Sequence, residues 1–117
     1  MYVQKTRPEP IGSVKVVTPG TPVPLVSTLI ANGVCLNGDT VTVNKIDVMA
    51  DPDNAGRVYI GTAGMVKATR LNVITILKPG DDWGITNNVS VNSYNFATLF
   101  VDADNANDGI FGSIDEN

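Results

Sequence analysis

The stretch of sequence that decides the fold is VTVNKIDVMADPDNAGRVYIGT, residues 41–62. Apolar and polar residues alternate in its two outer runs, 41–50 and 57–61, with the period of two that is typical of a β-strand. Between these runs lie Asp, Pro, Asn and Gly, the residue types that form tight turns. The stretch therefore predicts an antiparallel β-hairpin, with a bulge or bend near Asn44 and Lys45, where the alternation changes phase.

The same pattern continues on both sides of this predicted hairpin. The segment KPGD, residues 78–81, places proline and glycine where a type II turn needs them. The segment TAGMVKATR, residues 62–70, is too short and glycine-broken for a stable helix, so we expect a loop. Further strands are predicted over residues 13–17, 25–30, 71–77, 83–86, 96–101 and 110–114. Seven or eight short strands without an amphipathic helix predict an all-β fold, an antiparallel β-sandwich or a small barrel.

The first twelve residues differ from the rest of the chain. Pro8, Pro10 and Gly12 oppose both a helix and a central strand, so residues 1–12 are predicted to form an extended N-terminal arm. Residues 13–117 are then a single sandwich domain. Because Tyr2 and Val3 are apolar in an otherwise polar segment, we expect the arm, with Pro8 and Pro10, to be part of a binding surface.

Composition narrows the classes of partner. The chain has 117 residues, a single-domain length that can bury a real core. Charged residues make up 17% of it, below the roughly 25% that is average for soluble domains, which leaves surface for contact with other subunits. The net charge is −4, and no basic cluster occurs beside aromatic residues. Nucleic acid and membrane are therefore not expected as partners.

No apolar run is long enough to span a bilayer, and the N-terminus does not resemble a signal peptide.

The side chains most often used in catalysis are scarce. The chain contains no histidine, which removes the usual general base and the usual zinc ligand. Its single cysteine, Cys35, lies between Val34 and Leu36 and is expected to be a buried, unreactive thiol. We therefore expect a protein that is not an enzyme and that has no catalytic residues, no metal and no cofactor.

Two acidic loops raise the alternative of calcium binding. Residues 51–56 and 102–109 each place several carboxylate and amide oxygens close together. The first loop departs from the EF-hand pattern at Ala55 and Thr62, where that pattern needs Asp or Asn and then Glu. Asp and Asn are also common in turns, so we expect turn formation at the first loop and a solvated acidic loop and tail from Asp102 onward. The adjacent Asp81 and Asp82 are expected to point apart into water rather than to form the acid–base pair of a hydrolase.

Trp83, the only tryptophan, follows the predicted 78–81 turn. Three roles remain open for it: an anchor in the core, an anchor at a subunit interface, or part of a shelf on which a sugar stacks.

Several motifs together resemble small virion structural proteins of tailed bacteriophages. These are the Pro/Gly-interrupted first strand VKVVTPGTPVPL, the central I-D-V-x-A-D-P-x-N-x-G-x-V-Y-I-G, the L-x-P-G-D turn at residues 77–81 and F-V-D-A-D at residues 100–104. The resemblance spans about residues 13–105 and implies a non-enzymatic β-sandwich present in many copies on a capsid or tail.

What the resemblance implies most directly is a capsid decoration or cement protein. Such a protein would be made in the host cytoplasm, bind the major capsid protein on the capsid surface, contact copies of itself, commonly as a trimer, and stabilise the head. The alternative is a tail, baseplate or fibre-associated β module that contacts host surface glycans.

Overall fold

The computed structural model describes residues 8–25, 42–86, 94–95 and 99–116, and all regular secondary structure in these ranges is β-strand. The strands form two sheets that enclose one apolar core, so the predicted all-β antiparallel sandwich is confirmed. The strands are β1 (Pro8–Pro10), β2 (Val14–Val16), β3 (Val23–Pro24), β4 (Thr42–Ala50), β5 (Val58–Val66), β6 (Leu71–Leu77), β7 (Asp82–Thr86), β8 (Tyr94–Asn95), β9 (Phe100–Ala103) and β10 (Asp108–Glu116).

One sheet, which we call sheet A, is built around β10 and β4. Strand β10 pairs with β1 and β2 on one side and with β4 on the other, and β4 also pairs with β7 and β8. The second sheet, sheet B, has the strand order β3-β9-β5-β6. All these pairings are antiparallel. Each sheet presents one apolar face, and the two faces bury each other.

The hairpin predicted within residues 41–62 is wrong. The two strands and the turn between them exist, but β4 lies in sheet A and β5 lies in sheet B. Their ladder partners are distant in sequence, as in the pairs Ala50 with Ile110 and Val58 with Ala103. The turn carries the chain across the sandwich instead of back along one sheet. The alternation of apolar and polar residues shows which side chains face the core. It does not distinguish a hairpin from a turn that crosses between sheets, because both place the same side chains in the core.

Four connections cross between the sheets at one end of the sandwich. The neighbouring strands β2, β10, β4 and β7 of sheet A are connected to β3, β9, β5 and β6, which follow the same order in sheet B. The four connections therefore lie side by side, and we call them the corner stack. A backbone hydrogen bond joins two neighbouring members, from Asp104 N–H to Arg57 O at 3.1 Å, and others join a connection to the end of the adjacent strand, as from Asn107 N–H to Val16 O at 2.8 Å. The corner stack comprises residues 17–22, 104–107, 51–57 and 78–81, in that spatial order.

The core contains aliphatic residues from both sheets. In β4 the buried Ile46 and Val48 alternate with the exposed Lys45 and Asp47, as the period of two predicts. Partly buried side chains of Val23 and Trp83 pack against the edge of the core. The fully buried large side chains are Ile11, Leu25, Ile46, Ile60, Ile110, Ile114, Val14, Val16 and Val48.

The bulge predicted in the first run is confirmed. Lys45 pairs with Asp115 and Val43 pairs with Glu116, so Asn44 is the extra residue on β4. One additional residue shifts the alternation of side chains by half a period, which matches the change of phase in the sequence.

The N-terminal segment is extended, as predicted, in the part that the structure describes. Strand β1 pairs along β10, with Pro8 opposite Asp115 and Pro10 opposite Ser113. Proline has no N–H to donate, and β1 occupies an edge position where fewer donors are needed. Ile11 is fully buried and its N–H donates to Gly112 O at 2.8 Å, so residues 8–12 are joined to the sandwich.

Residues 62–66 were predicted to be a loop, and this is wrong, because β5 continues to Val66. The pairing with β6 is irregular here, and Gly64 has a φ of 78° that residues with a side chain rarely adopt. A Cβ on Gly61 would lie 2.3 Å from Asn72 O, so only glycine permits this approach of the two strands. Gly64 was one reason to expect a loop, whereas in the structure it lies within an irregular strand.

Some sequence predictions lie outside the described residues. These are the strand after Leu25, the setting of Cys35, most of the polar segment 87–95 and residues 96–98 of the predicted 96–101 strand.

Candidate functional site

The 51–57 connection of the corner stack is joined to the start of β10 by the side chains of Asp108 and Asn54. The Asp108 carboxylate accepts hydrogen bonds from the N–H groups of Ala55 and Gly56, at 3.0 and 2.9 Å. The Asn54 amide both accepts from the N–H of Gly109 and donates to its carbonyl oxygen, each at 2.9 Å. Asp108 is only 6% exposed, so its oxygens are used inside the fold.

Asp102 has a similar structural role on sheet B. Its side chain is almost completely buried, and Oδ1 accepts hydrogen bonds from the N–H of Gly20 at 2.9 Å and of Ala103 at 2.8 Å. The expectation of a solvated acidic loop is therefore wrong for Asp102 and Asp108. A carboxylate is a strong acceptor, and turns leave backbone N–H groups that need one.

The first acidic loop has the turn geometry that its residues predict. Asp51 Oδ1 accepts from the N–H of Asp53 at 2.9 Å, which is the local bond by which Asp commonly closes a turn. In the ranges that the structure describes, no three acidic, histidine or cysteine side chains come together as a metal site would require. Asp51 is thus explained by backbone geometry.

The adjacent carboxylates of the 78–81 turn are separated by the structure. Asp81 Oδ2 accepts from the N–H of Lys78 at 3.0 Å and so closes the turn, while Asp82 is exposed at the start of β7. Gly80 has a φ of 86°, as a type II turn requires. Asp81 therefore stabilises the turn and Asp82 faces solvent, so the two carboxylates do not form an acid–base pair.

A cluster of charged side chains lies on the outer face of sheet B. Asp104 is its centre: Oδ1 accepts a hydrogen bond from the Tyr59 hydroxyl at 2.9 Å, and Arg57 Nε lies 3.4 Å from Oδ2. Lys67 Nζ is 3.6 Å from Oδ1, and the Arg70 guanidinium lies 5.6 Å from the centre of the Tyr59 ring. Two cations thus lie beside the Asp104 carboxylate and a third lies over the neighbouring Tyr59 ring, and we call this surface the cationic face.

The cationic face exists because the end of the β5–β6 hairpin folds over sheet B. Lys67 Nζ donates to the carbonyl oxygen of Ala103 at 2.6 Å, and Arg70 donates to the carbonyl oxygen of Lys67. These contacts cover Tyr59, which is 2% exposed although it points away from the core. Burial and the hydrogen bond to Asp104 raise the pKa of the Tyr59 hydroxyl above its usual 10.0.

The outer face of sheet A has the opposite character. A shallow depression of about 210 Å³ is lined there by two carboxylates, Asp47 and Asp82, and by the apolar side chains of Met49 and Phe111. Phe111 is 41% exposed. Among the described residues neither carboxylate has a salt-bridge partner. We call this surface the acidic face.

The predicted interface residues are not gathered into one site by the described structure. Tyr2 and Val3 lie outside the described residues. Pro8 and Pro10 are in the edge strand β1, where Pro10 is exposed. Trp83 is half-buried and packs against the core, opposite Val48 in the β4–β7 pairing, so the role of core anchor is the one its contacts fit.

Sequence patterns did not indicate either face. The cationic face combines residues 57, 59, 67, 70 and 104, whose spacing follows no motif, and it depends on the fold-back of a segment predicted to be a loop. The acidic face depends on the register of β4 with β7 and β10. The signal in the sequence that could have indicated the acidic face is the alternation in β4, which places Asp47 and Met49 on the side of the strand that faces away from the core.

Comparisons with protein-family models, with curated proteins and with solved structures gave no match. In the described part of the chain, no helix is long and apolar enough to cross a membrane.

Proposed function

We propose that this chain is a non-enzymatic virion structural protein, a capsid decoration protein that binds the major capsid lattice and copies of itself at the capsid surface. The observation that carries the proposal is that the polar and the apolar side chains have different roles. Buried carboxylates stabilise turns, while large apolar side chains remain on the surface.

The internal use of polar groups supports a structural role. Asp102 and Asp108 have their oxygens bonded to backbone N–H groups, and Asp51 and Asp81 close turns. A catalytic carboxylate needs to reach a substrate and commonly has a strongly shifted pKa. The pKa of Tyr59 is raised, but its hydroxyl already donates a hydrogen bond to Asp104 and so is engaged inside the fold.

Exposed apolar side chains support a role in binding. Val17 is 69% exposed, Leu71 57% and Ile74 48%, and the last two belong to β6, the edge strand of sheet B. An uncharged edge strand has backbone N–H and C=O groups free to pair with another chain. Many weak contacts of this kind, repeated over a lattice, would add buried area at every subunit junction and oppose internal pressure.

The experiment is co-sedimentation with shells of the cognate major capsid protein. We expect the full chain to sediment with the shells at a fixed stoichiometry and to raise the temperature at which they break. A deletion of residues 1–7, which leaves β1 in place, should reduce occupancy if the N-terminal arm binds. Full occupancy without residues 1–7 would remove the arm from the proposal, and no binding by the intact chain would overturn it. The molecular mass of the protein in solution tests whether it forms the trimer that the resemblance to capsid decoration proteins implies.

The alternative function, a tail, baseplate or fibre module that binds host glycans, requires an exposed aromatic ring. In the described structure Phe111 fits that requirement better than Trp83, because Trp83 packs against the core. A glycan array with the wild-type protein and with Phe111→Ala tests it. Binding that is lost in this variant would favour the alternative, and an array without binding would oppose it.

A further inference from the structure

We propose that the cationic face of one copy binds the acidic face of the next, so that copies of this chain associate head to tail. The inference concerns the isolated protein and does not depend on a capsid.

Charge complementarity is the first argument. On the cationic face Arg57 and Lys67 lie beside the partly exposed carboxylate of Asp104, and Arg70 lies over the ring of Tyr59, so positive charge is in excess among these side chains. On the acidic face Asp47 and Asp82 are exposed and without a salt-bridge partner among the described residues. Opposite potentials on two surfaces steer them together and fix the register of the contact.

The acidic face has little positive charge of its own where the contact would form. Lys15 and Lys45 are exposed on sheet A, but neither lines the depression. The chain carries a net charge of −4, so two copies that meet by unmatched surfaces repel each other. Contact between the two faces is the orientation that pairs opposite charges.

Shape supplies the second argument. The depression on sheet A has apolar walls formed by Met49 and Phe111. The folded hairpin end on sheet B carries exposed aliphatic side chains next to its cations: Val66 is 43% exposed and Leu71 57%. An apolar side chain that enters the depression would displace its water and bring the charged groups at the rim into contact, as in an interface with an apolar centre and a polar rim.

The two faces are on opposite sides of one sandwich, which determines the kind of assembly. An interface between different surfaces leaves one free face of each kind at the ends of a pair, so further copies can add. The assembly closes into a ring when the rotation between copies allows it and otherwise grows as a filament.

The experiment is sedimentation velocity on the full chain over a range of protein and salt concentrations. We expect the weight-average mass to rise with protein concentration and to fall at 1 M salt, where the Debye length is about 3 Å. Asp47→Lys and Arg70→Glu should each weaken association about tenfold or more, because each places like charges opposite each other. Their matched controls are Asp53→Lys and Lys78→Glu, which make the same charge changes at exposed positions of the corner stack.

A mixture of the two variants gives the decisive measurement. The Asp47→Lys copy retains a native cationic face, and the Arg70→Glu copy retains a native acidic face, so these surfaces can bind each other. We expect the mixture to associate where each variant alone remains monomeric. Circular dichroism and thermal unfolding confirm that each variant is folded.

Three results would overturn the proposal: a wild-type protein that is monomeric at all concentrations and salts, association that Asp47→Lys leaves unchanged, or a mixture that does not recover. Association that is lost in Ile74→Lys but not in Asp47→Lys would instead assign the contact to the edge of β6. None of these results bears on co-sedimentation with capsids, which is tested separately.

Discussion

The Asp108 carboxylate accepts a hydrogen bond from the backbone N–H of Gly56, 52 positions earlier in the chain, at 2.9 Å. This contact joins the connection between β4 and β5 to the start of β10. It shows how the corner stack is stabilised: a side chain at the start of a strand accepts hydrogen bonds from backbone groups of the neighbouring connection.

Replacing Asp108 with alanine should lower the free energy of unfolding by about 3 kcal/mol, because it removes a buried carboxylate and leaves the partly buried N–H groups of Ala55 and Gly56 without their acceptor. Urea unfolding measures the change. The control is Asp53→Asn at an exposed position of the same connection, where a change within about 0.5 kcal/mol is expected. Equal effects of the two substitutions would contradict the role of Asp108.

Asn54→Ala should cost about 1 to 3 kcal/mol, because two hydrogen bonds to Gly109 are lost. Since Asn54 and Asp108 both join the 51–57 connection to the start of β10, the stability losses of the two substitutions should not add. A double-mutant cycle measures this coupling, and we expect the double variant to lose less stability than the sum of the single variants. Strict additivity would show that the two contacts act independently.

Two glycine substitutions should differ in cost for a geometric reason. A Cβ on Gly109 would lie 1.9 Å from Val14 O, so Gly109→Ala must displace β2 from β10. Gly80 has a φ of 86° with nothing within 4 Å of the Cβ position, so Gly80→Ala costs only backbone strain, about 1 kcal/mol. Thermal unfolding should show the larger loss for Gly109→Ala. The reverse order would contradict the β2–β10 register.

Stability should decrease at alkaline pH because of Tyr59. The raised pKa means that this hydroxyl stays protonated in the folded protein at a pH where the unfolded chain already ionises. Its contribution is therefore complete below pH 10 and is lost as the pH rises through the folded pKa. Unfolding in urea between pH 8 and 12 measures the loss, and Tyr59→Phe should reduce it.

Absorbance at 295 nm gives a second measurement of the same group. Asp104→Asn removes the negative charge that opposes ionisation of Tyr59, so the pKa of that hydroxyl should fall toward 10. Asp53→Asn provides a control that leaves the cluster intact. A tyrosine titration that is identical in wild type and Asp104→Asn would contradict the hydrogen bond to Asp104.

The strands were predictable because their signals are local. In β4 the alternation of Ile46 and Val48 with polar residues indicated the core face, and the change of phase indicated the bulge at Asn44. The turn at residues 78–81 was equally predictable, since proline and glycine restrict their own backbone angles. No partner strand is needed to recognise these features.

The two outer faces were not predictable for the opposite reason. Lys67 reaches Ala103 O and approaches Asp104 only because the hairpin end folds back across sheet B. Asp82 and Phe111 reach one depression only because β7 and β10 flank β4. Each face depends on where distant segments meet, and no local spacing contains that information.

By itself the sequence determined that the chain forms short antiparallel strands joined by tight turns, because alternation and turn chemistry act between neighbouring residues. Only the tertiary structure decided that residues 51–57 cross from sheet A to sheet B instead of closing a hairpin. A turn of either kind has the same residue preferences, and the choice depends on ladders to β10 and β9, which are distant in sequence, as in the pairs Ala50 with Ile110 and Val58 with Ala103. The burial of Asp102 and Asp108 was decided in the same way, by backbone N–H groups that other connections bring to them.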